Sequence, residues 1–147
     1  MPTAAKLISG VAFLIVGYLA ALAYIPQLPE GTKTAFFPEL TAALGFLVGW
    51  RSLGLVVGKG YAESLSYGLR ASIILVFSAL LVFSVYHMIQ QAFKVGHYHD
   101  AGEAVLDVPM TMLDYGKLLW APQVIEVLVI GGVLGGLVAE FVDKRWR

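Results

Sequence analysis

Four long runs of apolar residues cover most of the chain, and the charged residues lie between these runs or at their ends. The runs extend over Leu7–Pro26, Phe36–Val57, Leu69–Phe93 and Pro122–Phe141. An α-helix rises about 1.5 Å per residue, so about 20 apolar residues cross a hydrocarbon core of about 30 Å. Each run is close to that length. The pattern therefore predicts an all-α integral membrane protein, a single domain formed by a bundle of four transmembrane helices.

The composition agrees with a location in the bilayer. The chain is 59% hydrophobic and 14% charged, whereas soluble domains carry about 25% charged residues. The formal net charge is +0, so no basic excess indicates nucleic-acid binding. The chain contains no cysteine, which excludes disulfides, thiolate metal sites and thiol nucleophiles on this chain. We therefore expect the lipid bilayer as a partner, and no nucleic acid.

The first apolar run has a second interpretation, a cleaved signal peptide. Lys6 precedes the run, and Ala21-Leu22-Ala23 has the small-x-small pattern of a cleavage site. However, Lys6 is the only basic residue before the run, and the apolar run continues to Pro26. We favour a first helix that is retained.

Basic residues predict the orientation, because short cytoplasmic loops are enriched in Lys and Arg. With the N-terminus inside, seven basic residues fall on the inner side and three on the outer side, namely Lys33, Lys94 and Lys117. The acidic residues show the opposite distribution, three inside and seven outside. We expect a multi-pass protein of the bacterial inner membrane with both termini in the cytoplasm.

The connection between the third and fourth runs is the longest one, and it has helical periodicity from Gly102 to Asp114. Its apolar residues fall on one side of the predicted helix and its acidic residues on another. The apolar positions are Val105, Leu106, Pro109, Met112 and Leu113, and the acidic ones are Glu103, Asp107 and Asp114. The pattern predicts an amphipathic helix on the outer surface, and we favour a lid over the loop ends rather than a binding element.

Small residues recur at four-residue spacing and predict close helix packing, which drives association in lipid. Gly131/Gly135 and Gly132/Gly136 form two GxxxG pairs in the fourth run, and Gly45 and Gly49 follow the same spacing in the second. These faces serve either packing within the chain or a homo-oligomer. We favour packing within the chain.

Ionisable residues within or near the membrane are candidates for function, because their burial in lipid is costly. Arg51 and Glu140 have similar predicted depths near the inner side, so we predict an ion pair with a structural role. Glu39 and Glu126 follow Pro38 and Pro122 near helix starts, where the helix dipole favours carboxylates. The alternative is that Glu39 and Glu126 converge on an outward-facing cavity and hold a cation or a proton.

The outer segment also contains weak candidates for metal binding, His97, His99 and Asp100. An HxH pair alone is a poor signal because tetrahedral sites need three or four ligands in a fixed geometry. A solvated polar loop is the favoured interpretation. The sequence shows no nucleophile triad order, phosphate loop or dinucleotide fingerprint, so we expect no enzyme activity and no cofactor.

Five short segments together carry a family resemblance. They are Met1-Pro2-Thr3-Ala4-Ala5-Lys6-Leu7, Leu28-Pro29-Glu30-Gly31-Thr32, Gly49-Trp50-Arg51-Ser52-Leu53-Gly54, Gly58-Lys59-Gly60-Tyr61 and the tail from Ala139 to Arg147. In combination they resemble the TrgA family of small alphaproteobacterial membrane proteins, which is linked with tellurite resistance. The third run and the segment from Lys94 onward to the fourth run carry no matching motif.

The resemblance implies a role in tolerance of tellurite, an oxyanion, but it supplies no catalytic residues. A chain without thiols does not itself reduce tellurite by thiol chemistry, and an acidic outer face repels a dianion. We therefore predict an inner-membrane protein associated with tellurite resistance, a non-enzymatic accessory or binding component. The alternative is a small proton- or cation-coupled transporter that acts as a homodimer, with Glu39 or Glu126 in its pathway.

Overall fold

The computed structural model of the chain describes residues 4–28, 30–31, 35–56, 58–94, 96 and 99–146. These residues form helices and turns, without a strand among them. The helices are α1 (Ala4–Tyr24), which ends in a 3₁₀ turn (Ile25–Gln27), α2 (Phe37–Val48), which continues as a π-helical turn (Gly49–Leu53), α3 (Tyr61–Ala92), α4 (Ala101–Leu118) and α5 (Pro122–Arg145). The prediction of an all-helical protein is confirmed.

Three of the described helices are long and apolar enough to cross a membrane: the segments Ala4–Gln27, Tyr61–Ala92 and Pro122–Arg145. The second apolar run differs from its prediction as one α-helix over residues 36–57. Its α-helical part has 12 residues, about 18 Å at 1.5 Å per residue. The chain then widens into the π-helical turn and leaves the helix after Leu53, while Val57 lies outside the described residues.

Helix α3 begins at Tyr61, eight residues before the predicted start at Leu69, and has 32 residues in total. Gly60 precedes it with a positive φ of 120°, a conformation that glycine adopts readily. At 1.5 Å per residue the helix is about 48 Å long, well beyond the thickness of a hydrocarbon core. α3 is therefore the longest of the described helices, and its second half packs against α4.

Helix α1 packs antiparallel to α2 through glycines whose neighbours are backbone atoms. A Cβ added at Gly17 would lie 2.6 Å from the carbonyl oxygen of Thr41, and one at Gly45 would collide with the carbonyl oxygen of Phe13. Gly49 likewise sits against the backbone of Ser9. Any larger residue at these positions would force the two helices apart.

The two GxxxG pairs of α5 face two different helices of the same chain. Added Cβ atoms at Gly131 and Gly135 would meet Val16 and Phe13 of α1, at 2.7 Å in each case. On the other side, Gly132 and Gly136 contact α3, where they approach Gly68, Ser72 and Ser64. α5 thus lies between α1 and α3, antiparallel to both.

The core forms where α1, α3 and the π-helical turn meet. Phe13 and Ala71 are fully buried, and Leu53 and Leu75 are each 1% exposed. These side chains pack together with Val48 of α2 in one cluster. The core belongs to the middle of the bundle and to the end at which α3 begins and α5 ends. We call that end inner and the opposite end outer, after the predicted orientation.

Helix α4 is the amphipathic helix predicted over 102–114, and it extends four residues further, to Leu118. It packs on the outer part of α3, with Gly116 near Leu80 and Asp107 near His87. Its apolar face points away from the bundle: Val105, Leu106, Met110 and Leu113 are all more than 60% exposed. α4 meets α3 through another face, which includes Asp107 and Tyr115.

Candidate functional site

A cavity of about 550 Å³ lies between the outer ends of α1, α2 and α3 and the last turns of α4. Its deep end is formed by well-buried side chains, Ala21, Leu75 and Val124. Its rim carries the exposed residues Glu30 and Lys94. The volume lies within the range of about 300–1,000 Å³ that holds small-molecule ligands.

Aromatic rings form much of the cavity wall. Tyr24 and Phe37 are stacked, with ring centroids 5.6 Å apart and planes inclined by 15°. Phe37 also meets Phe83 of α3, with centroids 4.2 Å apart. Tyr86, Phe93 and Tyr115 complete the aromatic lining. Such a wall offers ring faces and edges to a ligand in addition to apolar area.

The polar groups of the cavity are concentrated on the outer part of α3. His87 and Gln90 both line the cavity. The Nδ1 atom of His87 is buried and makes no hydrogen bond with the described residues, since Asp107 Oδ2 lies 4.0 Å away. The other ring nitrogen, Nε2, lies 3.3 Å from Nε2 of Gln91. The two ring nitrogens of His87 therefore lie toward Asp107 and Gln91, whereas the Gln90 side-chain amide lines the cavity without a hydrogen bond to the described residues.

A hydrogen bond ties α4 to α1 beside the cavity. The Tyr24 hydroxyl donates to the carbonyl oxygen of Tyr115 over 2.7 Å. The Tyr115 ring also packs edge-on against His87, with centroids 6.2 Å apart. Burial raises the pKa of the Tyr115 phenol, and the neighbouring Asp114 carboxylate raises it further. These contacts hold α4 in place over one side of the cavity.

A second polar site lies at the opposite end of the bundle, around Glu140. This carboxylate is fully buried. Its Oε2 accepts hydrogen bonds from the Gly58 N–H and the Ser64 hydroxyl, both over 2.8 Å. Lys144 Nζ lies 3.6 Å from its Oε1 and 3.9 Å from the centre of the Tyr61 ring. Glu140 therefore connects α5 with α3 and with the turn that precedes α3.

The structure does not bring Arg51 to this carboxylate. Glu140 has the partners just described, whereas Arg51 is exposed on the π-helical turn, and no ion pair of Arg51 occurs within the described part of the chain. The predicted Arg51–Glu140 pair is therefore replaced by a pair with Lys144, one helical turn along α5. Side chains at i and i+4 on one helix lie side by side.

Glu39 and Glu126 do not converge on the outer cavity. Both side chains are exposed, and neither is among the residues that line the cavity. Glu39 lies in the first turn of α2. Glu126 borders a separate apolar groove of about 420 Å³ between α1 and α5. Glu39 therefore matches the interpretation as a first-turn acid, whereas Glu126, expected in the first turn of its helix, lies beyond the first turn of α5.

Two of the weak metal candidates lie at the start of α4. Asp100 is its N-cap, and its side chain accepts a hydrogen bond from the Gly102 N–H. The Glu103 carboxylate accepts from the His99 N–H over 2.9 Å. His97 lies outside the described residues, and the described ones contain no cluster of three or more groups suited to a metal. The Asp100 and Glu103 carboxylates thus stabilise the start of a helix.

Neither the lining of the outer cavity nor the clamp formed by Ser64 and Gly58 was predicted from the sequence. A signal for the cavity was present, since Val76, Leu80, Phe83, His87 and Gln90 recur at intervals of three or four residues along α3. This stripe combines aromatic and polar side chains on one helical face. The contribution of α1 and α2 to the cavity depends on how the helices pack.

Comparison with protein-family models, with curated proteins and with solved structures gave no match. The resemblance to the TrgA family therefore stays a prediction. The two sites rest on the geometry of this chain alone.

Proposed function

We propose that the chain is a multi-pass protein of the bacterial inner membrane, in which α1, α3, α5 and the second apolar run form a four-helix bundle. The three long apolar helices support this proposal. The second run, although shorter, packs along α1 through Gly45 and Gly49. With α2 and the π-helical turn together it extends from Phe37 to Leu53.

In this proposal both termini lie in the cytoplasm. The distribution of Lys and Arg supports that orientation. The Glu140 clamp then lies at the cytoplasmic side, while α4 and the aromatic cavity lie at the periplasmic side. The exposed apolar face of α4 would rest in the lipid interface, where amphipathic helices bind.

The protein's role, in this proposal, is that of a non-enzymatic binding component, with the outer cavity as its binding site. The observation that carries it is a cavity of about 550 Å³ with an aromatic wall and the polar side chains of His87 and Gln90 in its lining. Largely apolar pockets with a few polar groups are the usual form of small-molecule sites. The placement of Glu39 and Glu126 outside this cavity gives no support to a transporter that uses them.

The association with tellurite resistance is the part of the proposal that comes from the TrgA resemblance. An apolar cavity is a poor site for a dianion, because burying an unpaired charge is very costly. We therefore propose an accessory role in tolerance, in which the cavity holds a molecule other than tellurite.

Cavity filling tests this function. A strain that lacks the protein is complemented with wild-type protein, with Ala79→Phe, which fills the cavity, or with Ala12→Phe. Ala79 lines the cavity, whereas Ala12 lines the groove between α1 and α5, and both are partly buried. Survival on tellurite and cell-associated tellurium are measured at equal membrane expression. We expect Ala12→Phe to restore tolerance and Ala79→Phe to fail.

Two outcomes would refute the proposal. If the wild-type protein does not change survival, the link with tellurite resistance is wrong. If Ala79→Phe restores tolerance as well as Ala12→Phe does, the cavity is not the functional site. The orientation is tested separately with reporters fused at the C-terminus, and a reporter active only in the periplasm would refute it.

A further inference from the structure

The chemistry of the outer cavity indicates what class of molecule it holds. We propose that it binds an uncharged, lipid-soluble molecule with a flat ring that accepts hydrogen bonds, which is the chemistry of a quinone head group. The inference rests on the proposed function in that it takes the cavity as a binding site. It adds the ligand class.

The first argument is charge. The rim carries one acid, Glu30, and one base, Lys94, so the charged residues that line the cavity balance each other. The deep end contains no charged side chain among the described lining residues. A ligand with a net charge would lose its hydration there without gaining a partner. An uncharged molecule meets no such cost.

The second argument is the shape of the wall. The rings of Tyr24, Phe37 and Phe83 form a continuous aromatic row along one side of the cavity. Aromatic pairs gain more than their buried area alone provides, through stacked or edge-to-face contacts. A flat ring makes these contacts, whereas a saturated acyl chain gains only from burial. The wall therefore favours a ring over a lipid tail.

The third argument is the unused hydrogen-bonding capacity. The Gln90 side-chain amide lines the cavity and makes no hydrogen bond with the described residues. An amide N–H is a donor. The carbonyl oxygens of a quinone ring accept hydrogen bonds and carry no hydrogen to donate. A molecule of this kind in the bilayer would reach the cavity from the outer interface, where its rim lies in the proposed orientation.

The test uses the purified full-length protein in lipid nanodiscs and a benzoquinone with a ten-carbon tail. Binding is measured by calorimetry, and dodecanoate and tetraphenylphosphonium serve as an acyl probe and a lipophilic cation. We expect saturable binding of one quinone per chain, at least about 10-fold tighter than either of the other probes. Gln90→Leu, which keeps the bulk of the side chain, should weaken quinone binding roughly 2- to 10-fold through loss of one hydrogen bond.

Variants that change only the cavity volume complete the test. Ala79→Phe should reduce quinone binding more than about 10-fold, while Ala12→Phe should leave it unchanged. Gln90→Leu keeps the proposal testable if Ala79→Phe does not fold, because it adds no volume. Folding of each variant is checked by circular dichroism and gel filtration.

Contrary results separate this inference from the proposed function. If dodecanoate or tetraphenylphosphonium binds more tightly and Ala79→Phe abolishes that binding, the cavity is a ligand site and the quinone class is wrong. If the quinone binds equally to the wild type, Ala79→Phe and Gln90→Leu, it dissolves in the lipid and the inference fails. The failure of the proposed function is detected independently, by tellurite tolerance that does not depend on Ala79.

Discussion

Removal of the Glu140 carboxylate is expected to loosen the inner end of the bundle, because this group connects α5 with α3 and with the turn before α3. Glu140→Ala leaves the Gly58 N–H and the Ser64 hydroxyl without their acceptor, which lies 2.8 Å from each in the wild type. A hydrogen bond to a charged group contributes about 1.5–3 kcal/mol. The Lys144 contact adds little, because Lys144 is half exposed and its charge is screened.

Two such hydrogen bonds set the scale of the effect. Part of their contribution is offset, since the alanine variant no longer buries a charge. We expect Glu140→Ala to lower the free energy of unfolding by about 3–5 kcal/mol. Glu140→Gln retains a side-chain oxygen that accepts from one of the two donors, so its loss should be smaller, about 1–2 kcal/mol.

The measurement is reversible unfolding in mixed micelles with increasing dodecyl sulfate, followed by tryptophan fluorescence. Glu63→Ala is the matched control, because Glu63 is an exposed acid in the first turn of α3. Its loss affects only the helix dipole, by at most about 1 kcal/mol. If Glu140→Ala unfolds like Glu63→Ala, or if Glu140→Gln is as damaging as Glu140→Ala, the clamp does not act as described.

Three further predictions concern helix packing, a phenol and a helix cap. Gly136→Ala should lower the thermal stability by about 1–3 kcal/mol because its Cβ collides with the Ser64 carbonyl oxygen. In contrast, Gly116→Ala, whose Cβ meets only Leu80 at 3.9 Å, should be neutral or stabilising. Equal melting temperatures of Gly136→Ala and Gly116→Ala would contradict the predicted difference in packing. The folded state holds the Tyr115 proton more tightly than the unfolded state does. The contribution of this phenol to the stability of the fold is therefore complete below its usual pKa of 10.0 and is lost as pH rises through the raised pKa of the folded state. The ultraviolet difference titration of wild type minus Tyr115→Phe should thus have its midpoint above pH 10.0, and a midpoint at or below it would refute the burial argument. Asp100→Ala should speed hydrogen exchange in the first turns of α4, because it removes a helix cap that contributes about 1 kcal/mol. Asp100→Asn should preserve the protection. Equal exchange rates in the two variants would count against the cap.

The sequence indicated the helices well because each depends on a local pattern. α5 begins at Pro122 as predicted, since proline fits the first turn of a helix. The GxxxG pairs also have a local cause, the four-residue spacing that places glycines on one face. Their assignment to α1 and α3 was not predicted, because the spacing does not specify which helix lies opposite.

The differences arise where packing overrides the local pattern. The apolar run from Phe36 to Val57 suggests one long helix by hydropathy, yet the chain widens into the π-helical turn at Gly49, which lies against the backbone of Ser9. In α4 the apolar stripe faces outward, because Asp107 and Tyr115 make the contacts with His87. An amphipathic pattern predicts two faces, and it does not determine which of them meets protein and which meets lipid.

The position of the outer cavity follows from a change in residue size along α3. In its inner part, Ser64, Gly68 and Ser72 face α5, and the two backbones lie in close contact there. Further along, Phe83 and His87 occupy the equivalent face, and large side chains hold neighbouring helices apart. The partner also changes at this level, because α5 begins at Pro122 and α4, which ends at Leu118, continues along α3. The cavity lies at that junction, so replacing Phe83 with a smaller residue would enlarge it. Replacing a glycine of the inner part with a larger residue would instead separate α3 from α5 without creating a binding site.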